Sequence, residues 1–279
     1  MRIFGIVNVT GDSFSDGGRY LDPEAAIAHA EELVRQGAHV IDVGAESTNP
    51  RGADVPSEIE IARLRPVVSR LCAAGVEVSV DTVKPAVMRE AIALGASWIN
   101  DVSGMRDMDA VAAVADSTVG VVAMFAKGSG RRAEPVDSDP ERVVDEALAF
   151  LEDRAGVLVR AGVSEDRIVL DPGMGMFLGR GAAPSLAVLR SMDRFRSLGF
   201  PLMVSVSRKG FLGEITGRGV GQRGAATLAA EIWAMERGVD WIRTHDPGAL
   251  RDASLVFDAL RGKEDAPGAS RREGSGPPR

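Results

Sequence analysis

The sequence predicts one α/β domain in which strands and helices alternate to form a closed (β/α)8 barrel. The chain has 279 residues, and single domains of that length are mainly α/β barrels. Short β-branched runs alternate with longer amphipathic runs, as expected for parallel strands joined by crossover helices. Polar residues stand at the ends of the strand runs, and a barrel brings such ends together at one mouth. An open doubly wound sheet is the alternative, and it would spread these residues along a row.

Eight apolar runs are the candidate strands, and most of them end at a polar side chain. The runs are residues 3–7, 39–43, 77–80, 98–99, 119–124, 167–170, 202–206 and 241–243. The polar residues are Asn8, Asp42, Asp81, Asn100, Asp171, Ser207 and Arg243.

The helices between these runs have recognisable ends. Asp22-Pro23 and Asp139-Pro140 each open a helix, because the Asp accepts an unpaired N–H group and the Pro has none to satisfy. These two helices are expected to end near Gly37 and Gly162, where glycine tolerates a left-handed turn. Further helices are predicted to begin near Ser57, Pro85, Asp107, Ala183, Gln222 and Pro247.

Residues 1–262 are predicted to form the barrel domain, and residues 263–279 a disordered tail. That tail has three Gly, three Pro and no large apolar side chain, so it has little apolar surface to bury. Residues 10–20 and 45–57 are rich in Gly and small polar residues and follow strands at the mouth. We expect mobile loops that close over a ligand, with ordinary connectors as the alternative.

Composition excludes several classes of partner. The net charge is −7 and the isoelectric point is about 5.2, whereas nucleic acids and anionic lipids select clustered cations. No apolar run approaches the roughly 18 residues of a membrane span. Cys72 is the single cysteine, so no disulfide is expected. These features predict a protein of the reducing cytoplasm without nucleic-acid or membrane partners.

Two carboxylates end strand runs in apolar surroundings and predict a ligand rich in N–H donors. Asp81 and Asp171 would be costly to bury unless donors or a cation meet them. Together with Asn100 and Lys209, they suit an aminated heterocycle, whose ring N–H groups they would accept. Ion-paired structural carboxylates are the alternative. Asp101 follows Asn100 and is expected to point the opposite way.

The residues after the last two strands predict an anion site. Arg243 and His245 lie two residues apart and share a face if the strand continues. Residues 205–210 (SVSRKG) place Ser207 and Lys209 where a helix is expected to begin. Residues 217–224 lack the ending of a phosphate-binding loop, and a connector is predicted there.

These motifs resemble the dihydropteroate synthase family. The resemblance extends from about residue 3 to residue 260, and it depends on the motifs in combination. They are residues 5–10 (GIVNVT), 12–18 (DSFSDGG), 42–48 (DVGAEST), 79–82 (SVDT), 99–102 (INDV), 171–175 (DPGMG), 207–209 (SRK) and 243–246 (RTHD).

The resemblance implies a TIM barrel that joins 6-hydroxymethyl-7,8-dihydropterin diphosphate to 4-aminobenzoate with the help of Mg²⁺. It also implies a homodimer. The implied pterin-binding residues are Asp81, Asn100, Asp171 and Lys209. Asn8 would bind the Mg²⁺ diphosphate with Arg243 and His245, while Thr48 and Ser207 would position the diphosphate or the aminobenzoate. Asp81, Asp171, Lys209 and Arg243 would be the catalytic residues.

The chain departs from the family pattern at three places. Phe125 stands where most members carry His, and Asn49 stands where Arg is usual. Residues 174–178 (MGMFL) replace the common Phe-Gly-Lys stretch and are similar to the sulfonamide-insensitive branch. We therefore hypothesise that Phe177 narrows the aminobenzoate site against sulfonamides, with unrelated loop packing as the alternative.

Three other functions share some of these residues. A methyltetrahydrofolate:corrinoid methyltransferase would use the carboxylates, but it needs no diphosphate site. A non-catalytic pterin-binding homologue would bind without turnover. A Schiff-base aldolase would use Lys209, for which the neighbouring Ser207 and Arg208 predict no apolar pocket.

Overall fold

The computed structural model describes residues 1–9, 22–47, 52, 54–128, 132–134 and 136–262, and in them eight parallel strands form a barrel. The strands are β1 (Arg2–Asn8), β2 (Val40–Gly44), β3 (Val78–Asp81), β4 (Trp98–Asp101), β5 (Gly120–Met124), β6 (Ile168–Asp171), β7 (Met203–Val204) and β8 (Trp241–Thr244). The helices are α1 (Pro23–Arg35), α2 (Ser57–Ala73), α3 (Pro85–Ala93), α4 (Met108–Ala115), α5 (Arg142–Arg160), α6 (Ala183–Arg190), α7 (Met192–Arg196), α8 (Gly210–Thr216), α9 (Gly224–Glu236) and α10 (Pro247–Leu260).

The sheet order confirms the barrel and excludes the open sheet. Neighbouring strands run β6-β5-β4-β3-β2-β1-β8-β7, so chain order is kept around the barrel. A parallel bridge between Leu170 and Leu202 brings β6 and β7 together and closes it. All carboxyl ends of the strands therefore meet at one mouth.

The predicted element boundaries are correct within a few residues, with identifiable exceptions. β7 has two residues instead of the predicted five, because the chain after Val204 already turns toward the mouth. β4 continues through Asp101. The helix expected from Asp139 begins at Arg142, since the Asp139 carboxylate accepts the Glu141 N–H in a preceding turn. A 3-10 turn, Val220–Gln222, delays the helix expected near Gln222 to Gly224.

Of the two caps predicted from Asp-Pro pairs, the one at Asp22 is confirmed and the one at Asp139 is wrong. The Asp22 side chain accepts the N–H of Glu24, and Pro23 occupies the first helical position of α1. Asp107 and Asp246 cap α4 and α10 in the same way. Each cap satisfies an N–H group that has no partner within its helix.

Aromatic side chains fill the end of the barrel opposite the mouth. Phe4, Trp98 and Trp241 lie with ring centres 4.9–6.0 Å apart. They belong to one buried cluster with four aliphatic residues, Val40, Val122, Val169 and Met203. We call these seven residues the aromatic floor. A larger apolar cluster joins the strands to the surrounding helices, so the remaining polar strand residues gather near the mouth.

Several sequence predictions lie outside the described residues. They are the whole first loop (residues 10–20), the centre of the second loop with Thr48 and Asn49, and the tail 263–279. Within the described ranges, no helix has the length and apolar character needed to span a membrane.

Candidate active site

The strand ends bring most of the predicted site residues to the mouth. Asp81 ends β3, Asp171 ends β6, and Asn100 lies one residue before the end of β4. Asn8 ends β1 beside Gly44 of β2. The residues that follow β7 and β8 supply Ser207, Lys209 and His245, and Arg243 lies within β8.

Arg243 joins two carboxylates in the barrel interior. Its Nε donates to Asp42 Oδ2 at 2.5 Å and its Nη2 donates to Asp81 Oδ2 at 2.8 Å. The Asn100 amide also donates to Asp42 Oδ2, at 3.3 Å. Asp42 is fully buried, and Arg243 and Asp81 are about 15% exposed. The guanidinium thus already has carboxylate partners, and the predicted anion site of Arg243 and His245 stays a prediction.

Burial and neighbouring charges shift the pKa values of Asp81 and Arg243. Desolvation raises the pKa of Asp81 to about 7, and the Arg243 guanidinium opposes that rise. Burial also acts on Arg243, but Asp42 and Asp81 outweigh it and raise the guanidinium pKa above its ordinary value. Arg243 therefore stays charged.

Asp171 is fixed by the turn that follows β6. Its Oδ1 accepts the N–H of Gly173 at 2.7 Å. Gly173 has φ of +74°, and a Cβ there would lie 2.2 Å from the Phe125 carbonyl oxygen, so only glycine fits. Burial raises the pKa of Asp171 to about 6, while the Gly173 N–H and the Lys209 charge lower it.

Lys209 lies at the start of α8, close to an aromatic ring. Its Nζ is 5.2 Å from the centre of the Phe177 ring, and Phe177 is buried with Val102 and Met124. Burial lowers the pKa of Lys209 to about 8, with Arg243 acting in the same direction. The sequence predicted no apolar pocket at Lys209, and the 3-10 turn Gly175–Phe177 brings one aromatic ring to the ammonium, while the charges of Asp171, Asp81 and Arg243 also act on it.

Ser207, which follows β7, and His245, which follows β8, form a pair at the mouth. Ser207 Oγ lies 2.9 Å from His245 Nδ1 and also accepts the His245 N–H at 3.2 Å. Burial lowers the pKa of His245 well below its ordinary value, and Arg208, Arg243 and Lys209 add to the effect. The imidazole is therefore neutral at physiological pH.

Asp101 does not face this site, as its position beside Asn100 predicted. Its carboxylate accepts the N–H groups of Ser103 and Met105 and the Ser103 hydroxyl, at 2.7–2.9 Å. The Asp101 side chain therefore stabilises the loop that follows β4.

Three features at or behind the mouth were missed at the sequence level. Asp42 was noted at a strand end but was not included in the site, although it binds both Arg243 and Asn100. Glu231 of α9 was not considered. An ionic cluster at the rim was also missed, in which Lys84 contacts Glu46 and Glu60 while Arg132 contacts Glu46.

Comparison with known proteins decides the family. A sequence profile described as "pterin binding enzyme" matches residues 4–245. Dihydropteroate synthase type-2 of Escherichia coli is 46% identical over 260 residues, which is 93% of this chain and 96% of that protein. The chain belongs to the dihydropteroate synthase family.

Other members of the dihydropteroate synthase family agree with this assignment. The type-1 enzyme of Pseudomonas aeruginosa is 41% identical over 93% of this chain and 94% of its own length. The Xanthomonas albilineans dihydropteroate synthase with 4-aminobenzoic acid superposes with a TM-score of 0.84 at 43% identity, and 93% of each chain is covered. The resemblance found in the sequence is confirmed, and the relatives favour a synthase over a corrinoid methyltransferase.

Proposed function

We infer that this chain catalyses dihydropteroate synthesis in folate biosynthesis. It joins 6-hydroxymethyl-7,8-dihydropterin diphosphate to 4-aminobenzoate and releases diphosphate. Solved relatives are described with 4-aminobenzoic acid and with 7,8-dihydropteroate. The observation that carries the inference is the convergence of Asp81, Asn100, Asp171 and Lys209 at the mouth of a dihydropteroate synthase barrel.

We propose that the carboxylates bind the pterin ring. Asp171 keeps Oδ2 for a ring N–H group, since the Gly173 N–H occupies Oδ1. Asp81 accepts a hydrogen bond from Arg243, which opposes the rise of its pKa, and it is the second acceptor. The Asn100 amide and the Lys209 ammonium are the complementary donors for a ring nitrogen and the ring carbonyl.

The diphosphate end of the site needs positive charge beyond Arg243. One guanidinium between Asp42 and Asp81 leaves that group of three with a net charge of about −1 when all are ionised. We propose that the neutral His245 supplies a further N–H donor, and that Arg243 exchanges a carboxylate partner for the diphosphate when substrate binds. Ser207 positions His245.

Asn8 is the proposed protein ligand for Mg²⁺. Within the described ranges, no group of three or more His, Cys, Asp or Glu side chains could hold a metal ion. A carboxamide oxygen at a strand end fits an ion that keeps its waters and binds mainly through substrate phosphates. When bound, Mg²⁺ would neutralise charge on the leaving diphosphate. Thr48 remains a candidate for the same end of the substrate.

We propose a dissociative route in which the C–O bond to the diphosphate breaks before the arylamine adds. The pterin-methyl cation then spreads its charge over the ring, where Asp81 and Asp171 stabilise it. Arg243 and His245 meet the departing anion. Residues 10–20 and 45–57 are proposed to exclude water from the cation.

The experiment that tests the function is dihydropteroate formation by the purified protein, given both substrates and Mg²⁺. Product is expected, and Asp171→Asn should lower kcat/KM while Asp116→Asn, in the loop after α4, should not. Pterin binding without product would favour the non-catalytic homologue. That alternative is tested because Arg243 is already paired with Asp42 and Asp81, and a guanidinium that kept both partners could not bind the diphosphate. A parallel assay with a sulfonamide tests whether the enzyme is insensitive.

We also propose a cytoplasmic homodimer that binds small-molecule substrates. The dimer follows from the family resemblance, and the acidic net charge of −7 favours neither nucleic acid nor an anionic membrane as a partner. Sedimentation equilibrium would test the dimer.

A further inference from the structure

Glu231 is a buried acid on a helix outside the mouth. It lies on α9 with 2% of its surface exposed, and its carboxyl group is hydrogen-bonded to the Thr244 hydroxyl at the end of β8. Its Oε1 has no hydrogen-bond partner among the described residues. Burial raises the pKa of Glu231 to about 8, against the effect of the Thr244 bond and with a smaller contribution from Asp246.

Hydroxyl groups connect Glu231 to the imidazole of His245. Thr244 Oγ1 lies 3.4 Å from Ser207 Oγ, and Ser207 Oγ lies 2.9 Å from His245 Nδ1. Two backbone groups already donate to these hydroxyls, the Asp246 N–H to Thr244 at 3.3 Å and the His245 N–H to Ser207 at 3.2 Å. Each hydroxyl has one proton to give, so the direction of one hydrogen bond limits the next.

A protonated Glu231 fixes the direction of the whole chain. The acid donates to Thr244, Thr244 then donates to Ser207, and Ser207 donates to His245 Nδ1. Because Nδ1 accepts, the neutral imidazole must carry its proton on Nε2. An ionised Glu231 would accept from Thr244 instead, and Ser207 would be free to accept a proton from Nδ1.

We propose that Glu231 is a positioning residue that holds His245 in the neutral tautomer protonated at Nε2. This tautomer offers an N–H donor to the anionic leaving group, whereas a bare Nε2 lone pair would repel it. The benefit to catalysis rests on the proposed function, in which His245 meets the diphosphate. The tautomer itself does not depend on that function.

The test is ¹⁵N NMR of histidine-labelled protein together with steady-state kinetics. The chain has three histidines, and single substitutions of His29 and His39 would assign the His245 signals. Wild type should show Nε2 protonated and Nδ1 unprotonated. Glu231→Leu removes the group that fixes the direction of the Thr244 hydroxyl. Ser207 is then free to donate to Thr244 and to accept a proton from Nδ1, so the share of the other His245 tautomer should rise. Glu231→Gln keeps an N–H donor and should retain the wild-type signature.

The kinetic expectation separates positioning from packing. Glu231→Leu should raise KM for the pterin diphosphate by about tenfold, the effect of losing one hydrogen bond to a charged group, with KM for 4-aminobenzoate unchanged. Glu231→Gln should restore the wild-type value. Glu236→Gln, an exposed acid at the end of the same helix, is the matched control and should change neither readout.

Thr244→Val keeps the proposal testable if Glu231→Leu does not fold, because it breaks the chain at the next hydroxyl and should give the same tautomer shift. An unchanged tautomer in the folded Leu or Val variant would overturn the proposal, as would equal shifts in the Gln and Leu variants. If the NMR results are as expected but wild type forms no dihydropteroate, the positioning role stands and the proposed function fails.

Discussion

Arg243 at β8 and Asp81 at the end of β3 form a 2.8 Å ion pair across the barrel mouth. The strands that carry them are not neighbours, since β1 and β2 lie between them in the sheet. The same guanidinium binds Asp42. The Arg243 guanidinium thus connects β8 to β2 and β3. It is also the cation that we propose binds the substrate diphosphate.

The first prediction concerns the stability that Arg243 provides. Arg243→Met leaves Asp42 and Asp81 buried without their cation, and it should lower the free energy of unfolding at pH 8 by about 3 kcal/mol. Denaturant titration would measure it. The double variant Arg243→Met, Asp42→Asn should recover part of the loss. A single variant as stable as wild type would show that the ion pair contributes nothing net.

The second prediction is a bell-shaped dependence of kcat/KM on pH. The proposed roles need ionised Asp171 and Asp81, whose pKa values are raised to about 6 and about 7, and a protonated Lys209, whose pKa is lowered to about 8. Activity should rise between pH 6 and 7 and fall above about 8. Glu231 also loses its proton near pH 8, so the double variant Lys209→Arg, Glu231→Gln should remove the alkaline limb. An alkaline limb that persists in that double variant would assign it to another group.

The third prediction concerns the dependence of stability on pH. Burial raises the pKa of Glu231 from 4.5 to about 8, so the folded protein holds this proton more tightly than the unfolded chain does. The stabilisation is complete below pH 4.5 and is lost as the pH rises through about 8. Glu231→Gln should remove this slope and change the free energy of unfolding at pH 8, relative to pH 5, by a few kcal/mol compared with wild type. Parallel slopes in thermal unfolding would contradict the prediction.

The fourth prediction tests Phe177 as a determinant of sulfonamide response. Phe177 packs against Val102 and Met124 and covers the Lys209 ammonium. Phe177→Gly should lower the ratio of sulfonamide Ki to aminobenzoate KM, because it removes the ring that is proposed to narrow the aminobenzoate site. Phe177→Leu, which leaves a smaller cavity, should change the ratio less. A ratio equal to that of wild type in both variants would favour simple loop packing.

The fold was predictable because its signals are local. Strand runs, Asp-Pro helix starts and glycine stops each depend on a few adjacent residues, and the eight units and their order follow from them. β7 was predicted too long because Leu202 and Val206 extend the apolar pattern on both sides of it, although the chain after Val204 is already turning toward Lys209.

The sequence predicted which residues lie at the site better than it predicted which of their side chains contact one another. The residues at strand ends were found because a barrel gathers them whatever their separation along the chain. Spacing does not say which side chains meet across the barrel, so the pairing of Arg243 with Asp42 was missed. Glu231 was missed because a buried acid on α9 has no local mark that distinguishes it from an exposed one such as Glu236.

The aromatic floor closes one end of the barrel, so the mouth is the one entrance to the site that the described residues leave. Phe4, Trp98 and Trp241 shut the far end, so both reactants arrive, and both products depart, by the same route. Because we propose that the pterin binds to Asp81 and Asp171 inside the barrel, we expect it to bind before the arylamine. Bound product then blocks the next pterin from binding until the product dissociates. We therefore expect the turnover rate to depend on product release as well as on the chemical step.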